Sequence, residues 1–535
     1  ASWEIFKDHS NRSKNHDALK MYLDEWIKGW KVEDLFRAGQ EKRICFAPVF
    51  SMAQLAEQEQ LRSRNFFVPV THPHAGTLTH LGPPYQLHEP WWKIRRPAPL
   101  LSEHNKEVKA SLGQVKTSLG QIKTEAEGLR TSDPGLQTPS PQLPLAGVRV
   151  ADFTWVWAGP FCTMHLAHLG AEVIKIESQA HVDMTRRLPL YPSDMKPGVN
   201  RSGLFNQWSQ GKKSMLLNLE KPEGIAIAKE LIKKSDVVIE NFATGVMDHL
   251  GLGYEELKKI KPDIIMASIS GYGHTGPLQK YIGYGPAIAP LSGLSSLTGY
   301  PGGPPQEVGI SYGDPNSGIN AAVAICAALA ARKRTGKGQY IDVSLWEAMA
   351  VLVPEGWMDY AMNGTEPPRR GNRDPWMSPH NCFRCAGEDA WVTIACSTAE
   401  EWQALCQAIG QPQLATDSRF RTAQDRKANE DELERLLTAW TAQRDRWEVT
   451  HILQAAGVAA FPSMSSKDLA EDHHLNERGF FARLPHPEVG VRTHTGIPWR
   501  LTQSPNGVRA PAPLLGQDTA WLMRDLLGYS EQAIA

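Results

Sequence analysis

Short apolar runs and stretches of helical periodicity alternate through the middle of this chain. Val148-Arg-Val-Ala-Asp-Phe153 reads as a short buried strand; Gly159-Pro160 and an amphipathic run through Leu169 follow, then a strand at Glu172-Val-Ile-Lys-Ile176. The pattern recurs with a helix over Gly224 to Lys234 and strands at Asp236–Ile239 and Asp263–Ile269. The small-residue run from Ile319 to Arg334 predicts a further helix, and Tyr340–Leu345 a further strand. Buried strands alternating with helices predict an α/β fold, a parallel sheet in a doubly wound domain. From about 375 the pattern changes: a lone strand at Ala390–Ile394 and long helices at Ala399–Ile409 and Asn429–Thr441 predict a small α+β domain. The tail from Gly496 to Gly528 is expected to end in an amphipathic helix and to return to the first domain.

Two segments resemble each other at one constant offset. Arg64-Asn-Phe-Phe67 matches Arg478-Gly-Phe-Phe481, His72-Pro-His-Ala-Gly76 matches His486-Pro-Glu-Val-Gly490, and Pro97-Ala-Pro-Leu-Leu101 matches Pro511-Ala-Pro-Leu-Leu515. Asn15, Asp17, Leu19 and Trp26 match Asn429, Asp431, Leu433 and Trp440, so the offset is 414 throughout, the mark of an internal duplication. The organisation expected is therefore the C-terminal part of a first module at 1–105, truncated at its front, and a polar, Pro-rich linker at 106–145. A large domain at 146–374, a small domain at 375–490 and a returning tail at 491–535 complete the second module. Within the linker the Lys-, Glu- and Gln-rich part is compatible with helix, whereas Thr131 to Pro144 carries too many prolines.

The totals narrow the function. A chain of 535 residues exceeds one core and implies two to four domains. Lys+Arg of 57 against Asp+Glu of 58 leaves no charge to draw nucleic acid or a membrane surface. No apolar run reaches the roughly 18 residues of a membrane span, and the opening residues lack a signal-peptide layout. Seven cysteines suit a reducing, cytoplasmic setting, and Cys382-Phe-Arg-Cys385 has no second pair to complete a metal site.

The candidate chemistry centres on Gly313-Asp314-Pro315-Asn316-Ser317-Gly318. Asp is a favoured N-cap and Pro a favoured first helical residue, so by itself the stretch is a well-made helix start. The functional alternative is a carboxylate kept ionised by the helix N-terminus and used as a nucleophile. Gly271-Tyr-Gly-His-Thr-Gly276 has dinucleotide-loop spacing, but Pro277 follows, no amphipathic helix begins there and no acidic residue closes a later strand. It is expected to be a loop near the active site. No nucleophile elbow, zinc-peptidase helix or Walker loop is present.

Taken together, Phe153-Thr-Trp-Val-Trp-Ala-Gly-Pro160, Leu169–Glu177, Glu240-Asn-Phe242, Ser268–Gly273, Gly313-Asp314, Thr335–Gln339, Ala460-Phe-Pro462 and the Pro511–Gly516 tail resemble the class III (CaiB/BaiF-type) CoA-transferases in content and order. The resemblance covers 146–535, with 1–105 as a second copy of the tail. It implies a Rossmann-like large domain, a small domain, and subunits threaded like interlocked rings. The partner here would be the first module or a second copy of the chain. It implies coenzyme A, carried as acyl-CoA, and a carboxylic acid as substrates, with Asp314 as nucleophile. CoA contacts fall on Val156, Ala158, Leu217, Asn241 and Phe242, with Asn241 as donor and acceptor and Phe242 as a stacking face.

Two positions depart from the formyl-CoA transferases of the family: Trp157 stands where they carry Gln, and Gly285, after Tyr284, where they carry an acid. Trp155, Trp157 and Tyr284 could thus cage an onium carboxylate, or could be core or CoA-contact aromatics. The tandem layout also resembles the fused dimethylsulfoniopropionate CoA-transferase/lyase type, in which elimination follows transfer. Competing readings are an α-methylacyl-CoA racemase, for which Gly283–Ile288 lacks the His-Asp pair, and a non-catalytic half of an interlocked pair, against which Asp314 and the CoA motifs stand.

Overall fold

The apolar runs become the strands of one sheet, described here from a computed structural model. β1 (Phe67–His72) and β2 (Gly76–Leu81) form an antiparallel hairpin. β3 (Tyr85–Leu87), β4 (Arg149–Asp152), β5 (Glu172–Glu177), β6 (Lys213–Leu216), β7 (Val237–Glu240), β8 (Ile265–Ser270) and β9 (Gln339–Ser344) make a seven-stranded sheet in the order β3-β9-β8-β7-β4-β5-β6. All neighbours are parallel except β3 against β9. Val150, Ala151, Val237, Val238, Ile239, Ile265 and Ala267 are fully buried, as a sheet covered on both faces requires. The chain runs from β4 outward through β5 and β6, then returns to place β7 on the other side of β4. That reversal opens a crevice at the C-terminal ends of β4 and β7, where doubly wound sheets take their ligands. β3 and β6 have no signal in the sequence, being too short or too polar to stand out.

The structure describes residues 4–7, 9–88, 92–112, 143–505 and 507–534, so the Pro-rich stretch of the expected linker lies mostly outside the described residues. Contacts divide the chain into one unit of residues 1–294, 309–366 and 482–535 and another of 295–308 and 367–481. In the second unit, β10 (His380–Arg384), β11 (Trp391–Ala395) and β12 (Ala459–Pro462) form an antiparallel sheet. The lone strand expected at 390–394 is thus the centre of three; its neighbours, His-Asn-Cys-Phe-Arg and Ala-Ala-Phe-Pro, are too polar or too short to read as strands. Val392, Ile394, Trp402, Leu405, Leu433 and Leu453 fill the core between this sheet and its helices.

The 414-residue offset recurs in the elements. Helices His9–Lys14, His16–Ile27 and Val32–Glu41 stand 414 residues before Ala423–Ala428, Glu430–Thr441 and Arg446–Ala455. The hairpin β1–β2 stands 414 before β13 (Phe481–His486) and β14 (Gly490–Thr495). Left-handed residues repeat too: Arg43, Asn65, Gly76 and Ser102 against Gly457, Gly479, Gly490 and Gly516. The tail departs from expectation. Instead of an amphipathic α-helix it has one α turn, Thr519–Trp521, passing into a π-helical turn, Leu522–Leu526. The smaller rotation per residue of that turn keeps the adjacent Leu522 and Met523 both in the core.

The first tail copy is built into the first unit. Arg64, fully buried, donates Nε and one terminal nitrogen to Glu347 (2.6 and 3.0 Å) and the other to Asp342 (2.6 Å) and to Thr275 Oγ1 (2.7 Å). Gln60 Nε2 donates to the carbonyls of Tyr272 (2.7 Å) and Thr275 (2.8 Å), and its Oε1 accepts from Leu278 N–H (2.7 Å). β3 continues this anchorage as the sheet's edge.

Arg64→Met is expected to lower stability by on the order of 3–5 kcal/mol at pH 8, because it leaves buried carboxylates without their cation. Burial already pushes the Glu347 carboxyl up to about 7 against the opposing pull of Arg64. At pH 5 it is protonated with or without Arg64, so the loss should shrink there. Urea denaturation at the two pH values measures it, and an equal loss at both would refute the account.

Candidate active site

Asp314 lies in the first turn of a 23-residue helix of the first unit. The helix Ala158–His168 packs along Gly313–Thr335, and Gly318 allows the approach: a Cβ there would collide with the Ala158 carbonyl. The second helix begins at Gly313, with Tyr312 as its N-cap, so Asp314 sits inside the first turn and is not the cap expected of it. Its carboxylate turns away from its own helix and accepts the backbone N–H of Gly285. The half-buried side chain lines a cavity. That burial pushes the Asp314 carboxyl up to about 7, with the Gly285 N–H pulling the other way. Burial thus opposes the helix N-terminus that was expected to hold it ionised.

Gly285 had been read only as a missing acid. A Cβ at this position would fall well within van der Waals contact of Asp314 Oδ2 and 3.0 Å from the Ser311 Cβ. Glycine is therefore what lets the carboxylate lie against the backbone. Gly313 approaches the same point, its missing Cβ 3.3 Å from the Gly285 Cα. Only the three-dimensional approach shows this role.

The cavity in front of Asp314 has a volume of about 280 Å³ and is lined by Trp155, Val156, Asn241, Phe242 and Tyr284 among others. A second cavity of about 230 Å³ shares Trp155 and Phe242 and is lined by Leu217, His181 and Leu219. The five residues expected to hold CoA thus line one or both of two cavities that meet at Trp155 and Phe242, with Ala158 and Val156 on the Asp314 side. Val156 is held at φ 68°, which is uncommon for a β-branched residue, and its N–H donates to Asp183 Oδ1 (3.1 Å). Asp183 is fixed by Lys175 Nζ (2.9 Å), both buried.

Asn241 also has a role within the protein. Its Oδ1 accepts the Trp155 N–H (2.7 Å) and its Nδ2 donates to the Trp155 carbonyl (2.8 Å), so both ends of the amide clamp the backbone of Trp155. Phe242 stands edge-on to Trp155, ring centres 5.7 Å apart. Trp157 leaves the group: its indole stacks on Trp208 at 4.6 Å and 11° and does not line the Asp314 cavity. Trp155 and Tyr284 line the Asp314 cavity, whereas Trp157 does not, and Trp208 covers one face of its indole. Gly271–Gly276 is a loop beside the cavity, as expected, with no helix following Gly276.

The sequence model of CoA-transferase family III matches residues 2–105 and 145–519. The chain belongs to this family. The two matched segments fall on either side of the expected linker. The succinyl-CoA–D-citramalate CoA-transferase of Chloroflexus aurantiacus is 34% identical over 396 residues, 73% of this chain and 96% of that protein. The succinyl-CoA:glutarate CoA-transferase of Mus musculus is 35% identical over 392 residues, 73% of this chain and 88% of that protein. The acetyl-CoA:oxalate CoA-transferase of Acetobacter aceti is 40% identical over 333 residues, 62% and 83%. Among solved structures, a CaiB/BaiF family protein from Brucella suis aligns with a TM-score of 0.67 at 33% identity, covering 72% of this chain and all of that one. The α/β architecture and the membership of class III CoA-transferases, enzymes that use acyl-CoA as co-substrate, follow from these likenesses. Among the described residues no group of His, Cys, Asp and Glu is placed to hold a metal, and no helix is long and apolar enough to cross a membrane.

Gly285→Ala is expected to fold, since the backbone there is not left-handed, but to displace the Asp314 carboxylate. A misplacement on the ångström scale should lower kcat on the order of 100-fold. An unchanged circular dichroism spectrum with near wild-type turnover would show that the carboxylate does not depend on this glycine.

Proposed function

We propose that this protein transfers CoA from an acyl-CoA to a small carboxylic acid, with Asp314 as the covalent nucleophile. The observation that carries the reading is a carboxylate at the end of a cavity, resting on a backbone N–H and shielded by protein. The Asp314 carboxylate attacks the donor thioester carbonyl; the C–S bond breaks, leaving an acyl–aspartyl anhydride and CoA thiolate. The thiolate then attacks the aspartyl carbonyl, expelling the donor acid as its carboxylate and leaving an aspartyl–CoA thioester. The acceptor carboxylate reverses both steps. Bonds of similar energy are exchanged, so enclosure from water is the main demand on the protein. The aromatic walls at Trp155 and Phe242 supply it, and the Gly285 N–H lies beside the carboxyl group on which oxyanions form.

We infer that the acceptor is a short di-acid, the class named in the relatives above, rather than an onium acid with elimination to follow. Supporting this is the stacking of Trp157 on Trp208, outside the lining of the Asp314 cavity. We also infer a tandem arrangement, in which residues 1–105 complete the large domain as the tail of a first module, supported by the shared 414 offset of sequence, elements and left-handed positions.

Asp314→Ala should abolish transfer while changing CoA affinity by less than about tenfold, since chemistry and not binding is removed. Hydroxylamine trapping of an aspartyl adduct, read by mass spectrometry after incubation with acyl-CoA, should vanish in Asp314→Asn. Substantial turnover by the Ala variant would sink the mechanism.

The carboxyl must be ionised to attack, and its folded value is raised to about 7. The kcat/KM for acyl-CoA should therefore climb as pH rises through about 7 and level above it. The same raised value means that stability contributed by the neutral carboxyl is complete below the unfolded value of 3.8 and is lost as pH rises through about 7. Asp314→Asn should consequently melt above wild type at pH 8, with the difference closing by pH 4.

A further inference from the structure

We propose that Arg43, on the first tail copy, is a specificity residue of the Asp314 site and takes the free carboxylate of a dicarboxylic acid. The inference rests on the reading of Asp314 as nucleophile, but its residues come from a different part of the chain. Arg43 lines the Asp314 cavity, and among the described lining residues it is the one cation and Asp314 the one carboxylate. Its guanidinium is exposed, and among the described residues it makes a single long hydrogen bond, from a terminal nitrogen to the Lys280 carbonyl at 3.4 Å. Most of its donors are left for a ligand.

The backbone beneath it is held in place. Gln40 Nε2 donates to the Ile282 carbonyl (2.9 Å), its Oε1 accepts the Ile282 N–H (2.7 Å), and Cys45 Sγ donates to the same carbonyl (3.4 Å). The loop so clamped is the one that carries Tyr284 and Gly285 to Asp314. Arg43 itself adopts φ 58°, a left-handed conformation that costs a non-glycine residue of ordinary shape. Its partner in register 414 residues on, Gly457, adopts φ 79° without that cost. A strained arginine, where the sister copy has a relaxed glycine, calls for a compensating role, and the cavity provides one. A guanidinium fits a carboxylate with two parallel N–H···O bonds, and it repels an onium group.

Arg43→Gly restores the residue of the sister copy and relieves the strain, so it should fold at least as well as wild type. Arg43→Lys keeps charge without the fork. Calorimetric binding of glutarate and of its monomethyl ester needs no turnover and so stands apart from the fate of Asp314. Glutarate should bind the wild type more tightly than the ester, and Arg43→Gly should weaken glutarate by about tenfold or more while leaving the ester unchanged. Arg43→Lys should fall between. With succinyl-CoA as donor, the same preference should appear in acceptor KM. Equal weakening of both acids, or no preference in the wild type, overturns the proposal. So does a weakened affinity for CoA itself with acid preference intact, which would put Arg43 on a CoA phosphate. Loss of hydroxylamine trapping in the wild type would count against Asp314 and leave the binding result to judge Arg43.

Discussion

The ion pair cluster of Arg64 with Glu347 and Asp342 holds the two halves of the first unit together. Two carboxylates leave water at the end of β9 and in the helix that follows, which is tolerable only beside a cation with matching geometry. The guanidinium that supplies it comes from 278 and 283 residues earlier in the chain. It also fixes the loop beyond β8, because Gly273 has no side chain to keep Arg64 away and Thr275 accepts from it. That loop leads to Ile282, Tyr284 and Gly285, and so to the carboxylate of Asp314. The geometry around Asp314 is thus tied to a buried salt bridge on a different element.

Asp314 shows two electrostatic effects in competition. A helix start favours the anion, and so does the Gly285 N–H, but each is a modest contribution that acts at short range. Enclosure beside Trp155, Phe242 and Tyr284 works against the anion and prevails. A carboxylate in that state is poorly solvated, which makes it a better nucleophile than one stabilised by a cation. Arg43 lines the same cavity as Asp314.

Much of this was legible from residue patterns. The five central parallel strands, the helices that alternate with them and the position of Asp314 all follow from apolar runs on β4, β5, β7, β8 and β9 and from the motifs between them. The duplication was legible because the offset is constant, and it extends to helix limits and hairpin turns. What was hidden depends on approach in space. β3 is three residues long and exists because Arg64 and Gln86 hold it against β9; Gln86 Nε2 donates to the Arg64 carbonyl. Asn241, given as a CoA contact by the resemblance, lines the cavity and also clamps the backbone of Trp155, a contact that the linear sequence does not show. Trp157 looked like a cage wall, and nothing in the linear sequence pairs it with Trp208. Gly285 reads as an absence, and only the proximity of Asp314 turns it into a requirement.

The two tail copies share four left-handed positions but meet them differently. The second copy has glycine at all four, whereas the first has arginine, asparagine, glycine and serine. Asparagine tolerates this conformation because its short side chain bonds locally, and Ser102 sits in an exposed turn, so neither demands a reason from the site. Arg43 has neither excuse. A strained side chain persists only where its surroundings over-determine it, and here they do so through Gln40 and Cys45, which fasten its segment to the loop of Tyr284. Gln454 keeps the internal half of that device, donating to the Ala460 carbonyl at 2.8 Å as Gln40 does to Phe46 at 3.3 Å. The scaffold is therefore common to both copies, and the arginine is what distinguishes them.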